Sequence, residues 1–346
     1  VPSPRAPTEE ARIRGLIEAY EALTPEDRAA LRRQLLARAG DDERARMRQE
    51  AGPGAPPREP FRPPSEGVLE YLSKVRAALS AYGPPDAYRP GDEHALDLVR
   101  EETLVALEPL EWLLKSYFRY EVHGLHHVPR EGRAIIVSNH GLLPVDGWFL
   151  SYELKRHRGR WPRGLTDWRI YRFPLLRQLF MDMGTVVGSH DNGDRLLQRD
   201  ELLFIMPGGS KEAWKSSKYR YRLLWKGRTG FIKLALRNRA PVIPSANVGT
   251  DDTYRVFFDG YTTAYKLFGT KQALLPISIP VGLGPLPRPV KMTQYVGEPI
   301  HFPYPPEAEA DPAVVEACQD IVRAKVYELI DQGLRDRAER RLERLG

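Results

Sequence analysis

Ala134-Ile135-Ile136-Val137-Ser138-Asn139-His140-Gly141-Leu142-Leu143-Pro144-Val145-Asp146-Gly147 is the stretch on which the chain turns. Its apolar, β-favouring opening predicts a short buried strand. That strand delivers Ser138, Asn139 and His140 to its carboxyl end, and a loop carrying Gly141 and Pro144 leads into a helix over about 147–156. In open α/β sheets, chemistry collects in the crevice beyond the carboxyl ends of the strands. His140 at that place, with Asp146 six residues on, forms a candidate base and its orienting acid. The residues alone leave a second reading open, in which Asp146 caps the following helix and His140 is an ordinary loop residue.

A second continuous apolar run, Leu202 to Met206, predicts another buried strand. It ends in Pro207-Gly208-Gly209-Ser210-Lys211-Glu212, where the paired glycines permit close backbone approach and amide donors for an anion or oxyanion. Between the two runs, Gly184 to Asn192 reads as a short strand and a turn opening a helix. Downstream, Gly227 to Leu236 reads as a turn and helix feeding an apolar strand, Ala240-Pro241-Val242-Ile243, closed by Pro244.

Asn139-His140 followed by Asp146 resembles the first motif of the glycerolipid acyltransferases, the superfamily of the lysophosphatidate and monoacylglycerol/diacylglycerol enzymes. The usual motif places four residues between His and Asp, and here there are five. The longer form resembles the neutral-lipid side of that superfamily. The likeness extends from about Tyr120 to Arg337. The second motif region carries His190 where many relatives carry Arg. In the third, Gly208 and Lys211 stand where phosphate-acceptor enzymes have Glu and Arg, and Pro207, Gly208, Gly209 and Glu212 match the Pro-Gly-Gly form of the diacylglycerol side.

The resemblance implies an α/β fold with a mixed central sheet flanked by helices. It also implies O-acyl transfer from acyl-coenzyme A, or an acyl carrier protein, to a glycerolipid or neutral acylglycerol. His140 and Asp146 would be catalytic, His140 by general-base action. Asn139, His190, Gly208, Gly209, Ser210, Lys211, Glu212 and Pro244 would contact substrate, Pro244 by shaping the acyl pocket. No cofactor beyond the acyl donor is expected. The rival readings are an inactive lipid- or partner-binding protein on the same scaffold, and a thioester hydrolase. No Gly-x-Ser-x-Gly elbow suggests a serine hydrolase.

The chain has 346 residues, 42% hydrophobic and 28% charged, within the range of globular proteins. A single cysteine, Cys318, excludes an internal disulfide and suits a reducing compartment. Charged residues interrupt the first apolar positions, so no signal peptide is expected, and no apolar run approaches the ~18 residues of a membrane span. A net charge of +6 favours anionic partners. Together these point to a cytoplasmic protein, peripheral to the inner face of a membrane.

Residues 1–50 read as a helical hairpin, 51–66 as a Pro-rich linker, and 67–346 as the acyltransferase domain with its leading helices. A helical region from His94 to Tyr120 is expected to bend or break near Pro109. Its end, Trp112 to Phe118 with Lys115 and Arg119, suits a membrane interface or a cover for the sheet. His123, His126 and His127 lack ligand spacing and read as loop histidines, with no metal expected. From Lys211 to Arg228, cations interleave with Trp214, Tyr219, Tyr221 and Trp225. That pattern suits coenzyme A phosphates, an anionic lipid surface or a solvated face better than nucleic acid, for which no motif is present.

Overall fold

A computed structural model describes residue 96 and residues 99–142, 145–257, 280–283 and 286–343. The expected hairpin, the linker and the helix after it lie outside the described residues. So do Leu143 and Pro144 of the key loop.

The strand read from the apolar run is β2, Ala134–Val137, and every residue in it is buried. It is central in a seven-stranded sheet. With β1 as Glu121–His123, β3 as Arg163–Thr166, β4 as Val186–Val187, β5 as Leu202–Ile205, β6 as Val242–Val248 and β9 as Thr293–Val296, the order is β1-β9-β6-β2-β5-β3-β4. Strands β6, β2, β5, β3 and β4 run parallel. β9 is antiparallel to β6 and parallel to β1, which makes the sheet mixed. A separate antiparallel pair joins β7, Arg255–Val256, to β8, Pro280–Val281. This is the α/β architecture expected.

Successive residues of β2 point to opposite faces. Ile135 and Val137 join a core with Leu196 and Leu197 of one helix, Ile232 and Leu236 of another, and Val322, Val326 and Ile330 of the long C-terminal helix. Ala134 and Ile136 meet Leu150 and Leu154 on the other face. With both faces covered, only a continuous apolar run suits the strand.

The helices are α1 Glu101–Phe118, α2 Val145–Arg158, α3 Pro174–Asp182, α4 His190–Gln198, α5 Gly209–Ala213, α6 Gly230–Arg237 and α7 Pro312–Leu342. Side-chain caps start two of them. Ser189 Oγ accepts from the Asn192 amide at the head of α4, and Asp311 Oδ1 accepts from the Ala313 amide at the head of α7.

Two prolines do not end their elements. α1 is not broken at Pro109, which lies on its exposed side, where the carbonyl left unbonded can meet water. β6 continues past Pro244 to Val248. The register Ser245↔Val296 puts Pro244 opposite Gly297, just beyond the last residue of β9. There the Gly297 N–H donates to the Pro244 carbonyl at 2.8 Å, and the one bond the proline forgoes falls at the end of the ladder.

The end of α1 is also more engaged than an interfacial helix would be. Phe118 is fully buried against Phe149, and the Tyr117 hydroxyl donates to the Pro287 carbonyl. Lys115 pairs with Glu153, and Arg119 donates to the Pro289 carbonyl. Leu110, Trp112 and Leu113 remain exposed.

Candidate functional site

Because β2, β5 and β6 are adjacent and parallel, their carboxyl ends emerge together. Ser138-Asn139-His140 leave β2, Met206-Pro207-Gly208 leave β5 and Gly249-Thr250-Asp251 leave β6. The sheet thus gathers loops that lie up to about a hundred residues apart in sequence.

His140 is half-buried. Its Nδ1 lies 2.7 Å from the Gly141 carbonyl oxygen. A carbonyl has no proton to give, so this contact places the proton on Nδ1 and leaves the Nε2 lone pair open. Burial, with the Lys215 cation adding to it and the Gly141 contact opposing, lowers the imidazole to about 4. The ring is therefore neutral at neutral pH, as a base must be.

Asp146 is the second residue of α2 and completely buried. It neither caps that helix nor bonds to His140, whose Nδ1 is held by Gly141 instead. Neither carboxyl oxygen has a well-formed hydrogen bond. Burial pushes Asp146 up to about 7, with the amides of its own first turn and Lys215 pulling the other way.

Asn139 is bound within the sheet. Its amide group donates to the Asn247 carbonyl at 3.1 Å, and its Oδ1 accepts from the Asn247 N–H at 2.8 Å. That pair locks the end of β2 to β6. Gly141 lies so close to the loop after β6 that a Cβ would sit 2.1 Å from Thr250 Oγ1.

The third motif serves the first. Glu212 is fully buried; its Oε1 accepts from the His140 N–H at 2.8 Å and its Oε2 from the Leu224 N–H at 2.7 Å. Burial raises it to about 7, opposed chiefly by Lys215 and those two amides. Gly208 makes room, since a Cβ there would lie 2.2 Å from Glu212 Oε2. Gly209 has φ +51° and an amide that donates to the Met206 carbonyl at 3.0 Å. Of the two expected oxyanion donors, the Gly209 amide is thus already engaged. Ser210 donates to Asp167 Oδ2 at 3.2 Å, while Lys211 is exposed. His190, exposed at the head of α4, lies against Gly230 at the head of α6. Pro244 is buried inside β6.

The segment from Lys211 to Arg228 is partly core. Trp225 is fully buried, Tyr221 donates to Asp252 Oδ2 at 2.5 Å, and Arg220 pairs with Asp252 at 2.9 Å. Lys215 is buried, donating to the His140 carbonyl at 3.0 Å and pairing with Asp251 Oδ1 at 2.9 Å. Lys211, Lys218, Arg222, Lys226 and Arg228 are exposed. No local pattern marks Lys215, Thr250 or Asp251 as part of the site. The one signal in the sequence is that polar residues follow a long apolar strand.

Of the three histidines near β1, His123 lies on the strand and stacks on Tyr295, and His127 Nδ1 lies 2.8 Å from the Val296 carbonyl. Among the described residues no group of His, Cys, Asp and Glu is placed to hold a metal ion. No helix among them is long and apolar enough to cross a membrane.

Residues 119–248 match the family model described as Acyltransferase, a span that includes His140, Asp146 and Gly208 to Glu212. An uncharacterised protein of Mycobacterium tuberculosis is 35% identical over 245 residues, which cover 68% of this chain and 64% of that protein. A bovine protein named "DGAT1/2-independent enzyme synthesizing storage lipids" is 30% identical over 60% of this chain and 59% of its own length. The chain thus spans somewhat under two thirds of these relatives. Among solved structures, the 1-acyl-sn-glycerophosphate acyltransferase PlsC of Thermotoga maritima aligns with a TM-score of 0.40 and 16% identity, over 75% of this chain and 96% of that one.

Proposed function

We propose that this chain, whose residues 119–248 match the Acyltransferase family model, is a glycerolipid acyltransferase that moves a fatty acyl group from a thioester to an alcohol. The observation that carries the reading is the His140 ring, whose Nδ1–H is held by Gly141 and whose Nε2 is left open at the carboxyl end of the central strand. Nε2 takes the proton of the acceptor hydroxyl as its oxygen attacks the thioester carbon. The tetrahedral intermediate then expels the thiolate, which takes the proton back from the imidazolium. An ester and a free thiol result, and no acyl-enzyme is needed. Such base catalysis supplies roughly 10²–10⁴-fold in rate. Asp146 supplies negative charge to the imidazolium, and the Gly208 amide is the candidate donor to the oxyanion.

Acyl-coenzyme A or an acyl carrier protein is the donor in this reading. A neutral acylglycerol is the acceptor, because Gly208 and Lys211 replace the Glu and Arg of the phosphate-acceptor motif and His190 replaces the second-motif Arg. The bovine relative's name, which refers to storage lipids, supports the same choice. The protein would work at the cytoplasmic face of a membrane, with Leu110, Trp112 and Leu113 entering the interface and exposed cations such as Lys211, Lys226 and Arg228 meeting anionic headgroups.

The test is mass spectrometry of lipids made from acyl-coenzyme A and a panel of monoacylglycerol, diacylglycerol, glycerol-3-phosphate and lysophosphatidate. Acylated neutral glycerides are expected in excess. A clear preference for the phosphorylated acceptors would overturn the acceptor assignment. Free fatty acid as the sole product would make the protein a thioester hydrolase.

A further inference from the structure

His140 lies beyond the last residue of β2, so the strand ladder does not fix its own peptide groups. Two side chains do so instead. Its N–H donates to Glu212 Oε1 at 2.8 Å, and its C=O accepts from Lys215 Nζ at 3.0 Å. Both come from one short piece of chain, Glu212 in α5 and Lys215 three residues later.

Each of these side chains is itself anchored at a second point. Glu212 Oε2 holds the Leu224 N–H at 2.7 Å, and Lys215 Nζ holds Asp251 Oδ1 at 2.9 Å. The side chains of Lys215 and Asp251 are 3% and 5% exposed, so water does not compete for the pair. Gly208 is part of the device, because any Cβ there would collide with Glu212 at 2.2 Å.

We propose that Glu212 and Lys215 are positioning residues for His140, gripping its peptide from both sides so that Nδ1 meets the Gly141 carbonyl and Nε2 faces the incoming hydroxyl. The proposal rests on the reading of His140 as the base. Fixing both the amide and the carbonyl of one residue sets the direction of its Cα–Cβ bond, and so of its ring. Reaction rate is steeply sensitive to that direction, with misplacement by about 1 Å costing on the order of 10²-fold. Lys215 has a second effect. Its cation opposes protonation of the imidazole, while Glu212 faces the His140 N–H and Asp251 faces Lys215 itself.

The test uses the full chain and the variants Glu212→Gln, Glu212→Ala, Lys215→Arg and Lys215→Met, with folding followed by thermal melting. Two readouts are taken: kcat and KM for acyl-coenzyme A, and the ring nitrogen signals of ¹⁵N-histidine-labelled protein, with His140 assigned from His140→Gln.

Lys215→Met should lose on the order of 10²-fold in kcat while KM for the donor changes about twofold or less. Its His140 ring signals should move, and their titration midpoint should rise. Lys215→Arg and Glu212→Gln, each keeping a donor or acceptor toward His140, should retain more kcat than Lys215→Met and Glu212→Ala. Folded Lys215→Met or Glu212→Ala protein with wild-type kcat and unmoved ring signals would overturn the proposal. If either fails to melt cooperatively, the ring signals of Glu212→Gln and Lys215→Arg decide it: each alters one contact to the His140 peptide, and signals that stay at their wild-type positions in both would overturn the proposal. Absence of turnover in the wild type would refute the acyltransferase reading instead, and the ring signals would still report whether the grip exists.

Discussion

At His140 the two ring nitrogens are unequal before any substrate arrives. Gly141 holds Nδ1 through its carbonyl, and burial keeps the imidazole neutral, with its midpoint near 4. Its NMR ring signals should therefore stay at neutral positions between about pH 5.5 and 8, where an ordinary exposed histidine titrates. Asp146 has the opposite shift, up to about 7, because burial disfavours its anion. If the anion stabilises the imidazolium, activity must rise as pH passes upward through about 7, the direction in which Asp146 ionises. Glu212, also near 7 and also needed as an acceptor, ionises in the same direction. Asp146→Asn should lower kcat by roughly 10²-fold or more while leaving KM for the donor near its wild-type value. An unchanged kcat in that variant would remove Asp146 from the mechanism.

Among the elements, α7 shows a glycine acting against helix propensity. Gly333 lies where a Cβ would come within 2.6 Å of both Tyr295 Cε2 and Val248 Cγ2, so the helix can approach β6 and β9 only because the side chain is missing. In an exposed helix, Gly→Ala gains up to about 1 kcal/mol. At Gly333 the overpacking should win and cost about 1–3 kcal/mol, read as a lowered melting temperature. A raised melting temperature would mean that α7 does not pack as described.

The elements also show what a sequence discloses. Runs such as Ala134 to Val137 and Leu202 to Ile205 are legible because strands buried on both faces must be apolar throughout. Neither Pro109 nor Pro244 ends its element, because the bond each forgoes falls on an exposed helix face or at the end of a ladder. That depends on neighbours the local sequence does not name. Lys215 was hidden for a like reason. Amid exposed cations it looks like one more, and only Asp251 and the His140 carbonyl, brought to it from other strands, make it a buried one. The motif spacing brings Gly208 and Glu212 to His140 as neighbours, but it does not disclose that the Gly141 carbonyl, and not Asp146, holds the ring.

At the scale of the whole molecule, the described residues present exposed apolar side chains on α1, with its neighbouring cations tied to protein partners. Membrane attraction must then draw on cations elsewhere, each contributing about 1 kcal/mol near an anionic leaflet. Vesicle binding should rise with anionic lipid content and fall with salt, and Trp112→Ala with Leu113→Ala should weaken it at every salt concentration. Equal, negligible sedimentation with neutral and anionic vesicles at low salt would contradict peripheral docking and point to a carrier that delivers the substrates.

In the proposed reaction, His140 Nε2 deprotonates an acceptor alcohol at the mouth of the sheet. The most direct measurement compares free coenzyme A released from acyl-coenzyme A by wild-type protein and by His140→Ala, each with and without monoacylglycerol. Release should depend on the acceptor in the wild type and fall roughly 10²–10⁴-fold in a variant that melts like the wild type. Acceptor-dependent release at the wild-type rate from His140→Ala would contradict that role of His140.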